Sequence, residues 1–300
     1  MYKLFFLLLM APSVQAQNFS AKKTKEGVEI IEKGKPVLFF QSANKTVEGK
    51  YARAGFVHPL YDLGGNIISD DAPKDHPYHR GIFWAWHQVI VNGKNVGDGW
   101  MSDNIYYKPL LTDVKTNQKA VLHSQMIWNA KINDKVSAVA KQKTSITIFP
   151  STTHYRIMDF CIVLIPLVKE LKLGGSDDLK GYGGFSVRLK LPGDISFVSD
   201  DKQITPEETA VNAGPWMDIT GSFPADSLHK SGIAIFGYPK GNKNNPWILR
   251  RVTSMQNIPY PGRVPAVVPK DGLKLNYRMV VHDDTVNTDT IEKLYKEWAK

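Results

Sequence analysis

Cysteine is almost absent from this chain, which has 300 residues and a single cysteine, Cys161. One cysteine excludes any intramolecular disulfide, and a chain of this length buries an adequate core without such cross-links. Cys161 stands in the apolar run Phe160 to Leu164, which is typical of a small core residue rather than a nucleophile. Its position far from the N-terminus gives no indication of a lipoprotein anchor.

Long hydrophobic runs are also missing, since a membrane-spanning helix needs about 20 consecutive apolar residues. The apolar run Leu4 to Met10 is much shorter and follows a lysine, and Val14 to Ala16 supplies small residues where a signal peptidase reads them. This order predicts a signal peptide over residues 1–16, cleaved between Ala16 and Gln17. We therefore expect a periplasmic or secreted protein with no membrane span.

Several familiar motifs are lacking. The sequence has no His-Glu-x-x-His, no cysteine pair, no calcium loop, no Gly-x-Ser-x-Gly elbow and no phosphate-binding glycine loop. We therefore expect no cofactor and no tightly bound metal. The formal net charge is +9, but the lysines are scattered and do not interleave with aromatic residues, so no nucleic-acid partner is expected. The charge favours anionic partners such as acidic glycans, or serves solubility alone.

Short alternating segments separated by glycine and proline dominate what is present. The segments Gly27 to Ile31 and Pro36 to Phe40 flank Glu32-Lys33-Gly34-Lys35, which predicts a hairpin. Many short strands separated by turns predict an all-β fold, either a β-sandwich or a barrel, and we favour the sandwich. No repeat or low-complexity linker interrupts residues 17–300, which predicts a single domain.

The C-terminus has a different period. Four large apolar residues recur at helical spacing, which predicts a helix with one buried face: Ile291, Leu294, Tyr295 and Trp298. Asp289 and Glu292 resemble a capping box at the start of this helix. Glu292 and Lys296 are one turn apart and can form an ion pair.

Polar functional groups are densest between Arg53 and Asp103, centred on Asp75 to Gly81. Histidine transfers protons near neutral pH, and arginine holds carboxylates or developing negative charge. We therefore predict that the catalytic residues are His76, His79 and Arg80. Each histidine also has a structural alternative, in which it ties a loop down through hydrogen bonds.

Strand geometry divides this region between two faces. If Arg80 to Gln88 is extended, His79, Phe83 and His87 share one face, and Trp84 lies on the other. At about 3.3 Å per residue, His79 and His87 would then lie about 26 Å apart. That separation predicts that they do not bind one metal ion together.

The sequence also resembles the DUF6807 family, which is labelled PmoA-like. The blocks that carry the resemblance are His58-Pro59, His76-Pro77-Tyr78-His79-Arg80-Gly81, Asn92-Gly93, Trp100, Gly181-Tyr182-Gly183-Gly184-Phe185 with Arg188, Gly214-Pro215-Trp216-Met217-Asp218 with Gly221, and Gly232 to Arg250. Tyr78 and Tyr238 stand where the family pattern usually has histidines. The label implies a methane oxygenase. The β-rich length is similar to that of carbohydrate-processing supersandwich proteins such as the aldose mutarotases, an analogy at the level of fold.

From these observations we expect an exported protein that acts on a carbohydrate by non-redox acid/base chemistry, as a hydrolase, lyase or epimerase. Its partner would be a glycan or another small-molecule substrate, anionic ones included. The predicted substrate-binding residues are His58, Trp84, His87, Arg188, Trp216 and Asp218. Two alternatives stay open: a non-catalytic glycan-binding module, and the metal-dependent oxygenase that the family label implies.

Overall fold

Short antiparallel strands form most of the structure, a computed structural model that describes residues 18–223, 230–237 and 244–300. The predicted signal peptide and its cleavage point lie outside the described residues. In chain order the strands are β1 Phe19–Lys23, β2 Gly27–Glu32, β3 Lys35–Gln41, β4 Lys45–Val47, β5 Lys50–Arg53, β6 Phe56–Leu60, β7 Ile82–Trp86, β8 Gln88–Val91, β9 Lys94–Gly97, β10 Ile105–Thr116, β11 Ala120–Ile132, β12 Lys135–Ile148, β13 Tyr155–Pro166, β14 Leu171–Gly174, β15 Gly183–Val187, β16 Ser196–Ser199, β17 Lys202–Gln203, β18 Val211–Ala213, β19 Trp216–Gly221, β20 Ser231–Phe236, β21 Asn245–Trp247, β22 Gln256–Pro259, β23 Ala266–Val267 and β24 Leu273–Asp283.

Two large sheets organise the described strands. The first has seven strands in the order β1-β2-β3-β6-β7-β15-β22, and the second has nine in the order β10-β11-β12-β13-β24-β20-β19-β16-β17. A four-stranded sheet, β23-β14-β8-β9, and two strand pairs, β18-β21 and β4-β5, complete this part of the chain. The predicted hairpin is present as β2 and β3, joined by Lys33 and Gly34 with φ of 48° and 80°. Both angles fit a tight two-residue turn.

The two large sheets pack face to face through aromatic side chains. Phe185 of β15 stacks on Tyr277 of β24 with ring centroids 4.3 Å apart, and it meets Phe160 of β13 edge-on at 5.4 Å. The ring centroids of Trp86 in β7 and Trp128 in β11 lie 5.9 Å apart. Apolar residues that alternate along each strand point into this shared layer, because successive side chains of a strand face opposite sides. The fold is therefore the all-β sandwich that the sequence predicted.

One helix, α1 (Thr288–Ala299), follows the last strand and covers the outer side of the nine-stranded sheet. Its predicted apolar face, Ile291 to Trp298, is buried against Phe236 and Trp216. The predicted ion pair between Glu292 and Lys296 is present at 3.2 Å. The predicted cap is wrong: Asn287 caps the helix by accepting from the Thr290 backbone N–H at 3.1 Å, since its backbone is extended where helical geometry begins.

No helix in the described ranges is long and apolar enough to cross a bilayer.

Candidate functional site

Strand β7 separates the sandwich core from a second cluster on the outer face of its sheet. Its residues Trp84 and Trp86 point into the core between the sheets. Phe83 and Ala85 alternate with them and pack outward against Trp100. The predicted division of this segment into two faces is therefore confirmed for the strand itself.

A cavity of about 230 Å³ opens on this outer face. Loops that follow or precede the strands of the seven-stranded sheet bring its walls together. The lining residues are His76, Tyr78, His79, His87, Trp100, Ser176, Asp178, Lys180, Tyr182 and Ser254. Imidazole, phenol, hydroxyl and amine groups therefore share one small cleft, which is the kind of concave polar and aromatic site that binds small molecules.

The first wall is an aspartate–histidine pair. Asp75 Oδ2 lies 2.8 Å from His76 Nδ1, and the Asp75 carboxylate also receives Arg188 at 2.9 Å and 3.1 Å. The Ser254 backbone N–H donates to the same carboxylate at 3.1 Å. Burial alone would raise the pKa of Asp75, but the hydrogen bonds from Ser254, His76 and Arg188 hold that pKa well below its usual range. Asp75 thus stays ionised and fixes the orientation of His76.

The opposite wall holds a second pair of the same kind. His87 Nδ1 lies 2.8 Å from Asp98 Oδ2, and Asp98 Oδ1 accepts from the backbone N–H of Trp100 at 2.7 Å and of Met101 at 2.9 Å. The His87 ring stacks on Trp100 with centroids 5.0 Å apart. Each histidine is therefore held through Nδ1 by a carboxylate, an arrangement that orients the ring and fixes which nitrogen carries the proton.

His79 lies deeper, between the two walls. Its ring is 2% exposed, stacks on His76 at 4.4 Å and meets Trp100 edge-on at 6.0 Å. Burial lowers the pKa of His79 to about 2, with the charges of His76 and Arg188 adding to the effect. His79 Nδ1 has no hydrogen-bond partner among the described residues. His79 is therefore a neutral ring with an unpartnered polar atom, and its low pKa does not suit the general acid or base that the sequence predicted.

The expected separation of His79 and His87 is wrong. Strand β7 spans only Ile82–Trp86, so neither histidine lies within it. Both rings contact the same indole, that of Trp100, at 6.0 Å and 5.0 Å between centroids. The estimate of the distance assumed one straight strand, whereas the chain turns before Ile82 and again after Trp86.

Arg80 does not line the cavity, contrary to its predicted substrate contact. Its side chain is fully buried and donates through Nη2 to the carbonyls of Lys45 and Tyr51, each at 3.1 Å. Its Nη1 faces Asp71 at 3.3 Å, and its guanidinium lies over the Phe56 ring. Arg80 thus ties the β4–β5 hairpin to the sheet.

The two tryptophans predicted to stack on a sugar ring are core residues. Trp84 is 3% exposed and stacks on Phe185 between the sheets, while Trp216 is 1% exposed beneath α1. Trp216 also donates through Nε1 to Glu292 at 2.6 Å. Neither indole has a free face, so these two predictions do not fit the structure. Composition alone could not separate a buried tryptophan from an exposed one.

Asp218 belongs to a buried pair elsewhere. Its Oδ1 lies 2.8 Å from His282 Nε2, and His282 Nδ1 faces the Asp283 carbonyl at 2.7 Å. Burial alone would lower the pKa of His282, but the hydrogen bonds and charges of Asp218 and Asp283 together outweigh burial, and the pKa is raised. An acceptor faces each ring nitrogen, which favours the protonated ring, and the contacts of His282 tie β19 to β24. Its role, like its partnership with Asp218, was not foreseen.

Two further predicted binding residues, His58 and Arg188, also lie outside the cavity. His58 Nδ1 is 2.9 Å from Ser69 Oγ, beside the buried Asp71. Arg188 lies behind the cavity lining, because its guanidinium is bonded to Asp75, Asp70 and the Ser254 carbonyl. The predicted site residues that line the cavity are therefore His76, His79 and His87.

Sequence reasoning missed the residues that hold the second histidine. Asn92 and Gly93 have φ of 49° and 81°, the left-handed values of a tight hairpin turn. Such a turn folds β9 back along β8, and the pairing of Val89 with Gly97 at the far end of the hairpin brings Asp98 near His87. The Asn92-Gly93 dipeptide was thus a usable signal for the pairing of His87 with Asp98. No comparable signal pointed to Lys180, Tyr182 or Ser254, which reach the cavity from distant parts of the chain.

Groups of three or more histidine, cysteine or carboxylate side chains arranged to hold a metal ion do not occur among the residues that the structure describes. The carboxylates that line or flank the cavity are each bonded to a histidine, an arginine or backbone N–H groups. The arrangement therefore provides proton-transfer groups and hydrogen-bonding groups.

The fold and the site define an all-β sandwich with a histidine-rich cleft on the outer face of one sheet. The chain belongs to the DUF6807 family, described as a family of unknown function, whose model matches residues 27–296. This match confirms the resemblance read from the sequence. A search of curated proteins finds no match to the chain.

Proposed function

We propose that this protein is an exported enzyme that acts on a carbohydrate by non-redox acid/base chemistry. The reaction would take place in the cavity lined by His76, His79 and His87, which we call the His76–His87 cavity. The observation that carries the proposal is the pair of carboxylate-held histidines on one cleft, each with 2.8 Å between Nδ1 and its aspartate. Paired histidines can remove a proton at one position and deliver one at another, as hydrolysis, elimination and epimerisation require.

The roles follow from how each ring is held. His76 and His87 are the proton-transfer residues, because Asp75 and Asp98 fix their rings and stabilise the imidazolium that forms during transfer. His79 remains neutral and packs against the ring of His76, so it does not exchange protons. This assignment replaces His79 by His76 and His87 as the groups that exchange protons.

A sugar-sized substrate suits the remaining lining. Tyr78 and Tyr182 are half-buried rings at the cavity, and Trp100 forms its floor. Aromatic faces pack against the apolar faces of sugar rings, while the hydroxyls of Ser176 and Ser254 match the hydroxyl groups of a glycan. Lys180 supplies a positive charge, which favours anionic sugars among the candidates.

The turnover experiment uses the purified chain in D₂O with a panel of neutral and acidic mono- and oligosaccharides, followed by proton NMR. Bond cleavage, new double bonds, epimer signals or loss of a carbon-bound proton signal to exchange with solvent each support the proposal. Exchange is included because an epimerase at equilibrium shows no net product. The His76→Gln/His87→Gln variant should abolish the signal.

Binding without any turnover would identify a non-catalytic glycan-binding module instead. Saturation-transfer NMR on the same panel separates the two outcomes, because it detects bound sugars whether or not they react. Export is tested separately by mass spectrometry of secreted protein, which should begin at Gln17. An intact Met1 on exported protein would contradict the signal peptide.

A further inference from the structure

A second polar cavity, of about 250 Å³, lies where the β2–β3 hairpin meets the loop between β12 and β13. It shares no lining residue with the His76–His87 cavity. Its lining residues are Glu32, Lys33, Lys35, Leu63, Ser151, Thr152, Thr153 and Arg156. This cavity volume is larger than the volume of several liquid water molecules, each of which occupies about 30 Å³.

A buried ion pair forms one side of this cavity. Arg156 Nε donates to Glu32 Oε2 at 3.0 Å, and the Ser151 backbone N–H and hydroxyl donate to Glu32 Oε1 at 2.7 Å and 3.0 Å. The side chains of Arg156 and Glu32 are 4% and 2% exposed. The carboxylate therefore has its acceptor positions occupied, and Glu32 is satisfied within the protein.

Arg156 is not satisfied in the same way. Its Nη1 is buried and has no hydrogen-bond partner among the described residues. Buried donors are normally paired, and a guanidinium nitrogen without an acceptor carries a free-energy penalty. An oxyanion in the cavity would supply the acceptor that Nη1 lacks.

The charge of the cavity points to the same kind of ligand. Lys33, Lys35 and Arg156 supply three positive charges and Glu32 supplies one negative charge, which leaves a formal lining charge of +2. The Thr153 hydroxyl adds a neutral donor to the lining. Arginine and lysine together are the usual partners of phosphate and sulfate oxygens.

We propose that this cavity binds a doubly charged tetrahedral oxyanion, phosphate or sulfate, between Lys33, Lys35 and Arg156. A divalent anion balances the lining charge and offers several oxygens to donors on the two sides of the cavity. Because Glu32 belongs to a strand of one sheet and Arg156 to a strand of the other, bound anion would also strengthen the joint between the sheets.

Thermal unfolding and titration calorimetry test the site with sodium phosphate and sodium sulfate against sodium chloride at equal ionic strength. Wild-type protein should melt at a higher temperature in phosphate or sulfate than in chloride. Lys33→Asn/Lys35→Gln should weaken phosphate binding by about tenfold or more, since charge-assisted hydrogen bonds are lost. Asparagine is chosen because Lys33 has φ of 48°, which asparagine tolerates.

The control variant is Lys22→Gln/Lys25→Gln, which removes two exposed lysines that do not line the cavity. It should keep wild-type affinity, so a general effect of net charge is separated from binding. Arg156→Lys keeps the charge but removes the planar fork, and should also weaken binding. Equal melting temperatures in all three salts, or full phosphate affinity in the Lys33/Lys35 variant, would overturn the proposal.

A free ion and a sulfate group on a glycan present the same oxygens. A sulfated disaccharide is therefore titrated alongside inorganic sulfate. Tighter binding of the disaccharide, lost in the Lys33/Lys35 variant, supports the site and identifies a glycan source. Equal or tighter binding of inorganic sulfate or phosphate supports the site and identifies a free ion.

Discussion

His76 and His79 stack almost parallel, with ring centroids 4.4 Å apart and 7° between their planes, yet they occupy different electrostatic environments. His76 is held by the ionised Asp75 at 2.8 Å, whereas His79 is buried beneath it with an unpartnered Nδ1. A positive charge on His76 disfavours a second one on His79, which is part of why the pKa of His79 is so low. One stacked pair thus contains a ring held by an ionised carboxylate and a ring kept neutral.

The first prediction concerns catalysis. His76→Gln and His87→Gln should each lower turnover by about 10²–10⁴-fold, the usual contribution of a general acid or base. Their melting temperatures should stay close to that of the wild type, because both rings are partly exposed. Rates come from the NMR assay, and stability from thermal unfolding followed by circular dichroism.

A histidine–aspartate pair on the surface, His154 with Asp283, provides the matched control. His154 Nδ1 lies 2.9 Å from Asp283 Oδ2 on the surface and does not line the cavity. His154→Gln should therefore keep wild-type turnover. A loss of activity in His154→Gln as large as that in His76→Gln would count against the cavity as the site of chemistry.

The second prediction concerns pH and His79. In the unfolded chain His79 takes up a proton as the pH falls through about 6.5, whereas the folded ring resists protonation down to about pH 2. The free energy of unfolding should therefore fall as the pH falls below 6.5, with a slope from this group approaching about 1.4 kcal/mol per pH unit. His79→Asn should lack this part of the slope in urea titrations at successive pH values. An unchanged slope in the variant would show that His79 is protonated in the folded state.

The third prediction separates a structural Arg80 from a substrate-binding one. Arg80→Met should destabilise the fold by about 3–5 kcal/mol, because Asp71 is left buried without this partner. Lys45 contacts the same Asp71 at 2.6 Å but is about half exposed, so Lys45→Gln should cost about 1 kcal/mol or less. Urea denaturation measures both. A normally stable Arg80→Lys protein with a raised KM would show instead that Arg80 binds substrate.

The fourth prediction concerns the close packing of Gly232 against the ring of His282. A Cβ added at Gly232 would lie 2.2 Å from His282 Cε1 and 2.3 Å from its Nε2, so Gly232→Ala must displace the ring from Asp218. We expect a loss of about 1–3 kcal/mol, the usual cost of overpacking. Gly193→Ala is the control, since nothing lies within 4 Å of its added Cβ, and its effect should stay within about 0.5 kcal/mol. Equal stability of the two variants would contradict the tight packing of this pair.

Local patterns predicted the elements of this fold correctly. The turn at Lys33-Gly34 predicted the hairpin of β2 and β3, and the spacing of Ile291, Leu294 and Trp298 predicted the terminal helix. These features depend on side-chain period and turn geometry within a few residues, which the sequence states directly. The helix cap was missed by two residues, because Asn287 and Asp289 are both acceptable capping side chains.

The candidate site could be predicted only in part. His76, His79 and His87 were identified because they fall in the densest cluster of polar functional groups in the sequence, and all three line the cavity. Arg80 and Trp84 belong to the same stretch of sequence but are buried, Arg80 against Phe56 and Trp84 between the sheets, and no local pattern predicted their burial. Lys180 and Ser254 also line the cavity, although they lie more than 90 positions after His87 in the chain. No local sequence pattern predicts a contact over such a separation.

The sequence by itself determined the all-β class, the C-terminal helix, the family and the segment that holds the cavity histidines. Only the tertiary structure decided that Arg188 holds Asp75 rather than substrate, that Trp216 lies under a helix, and that Asp98 meets His87. The physical reason is the distance along the chain over which each kind of interaction acts. Periodicity and turn propensity act between near neighbours, whereas burial, ion pairing and pKa depend on which distant strands and loops pack together.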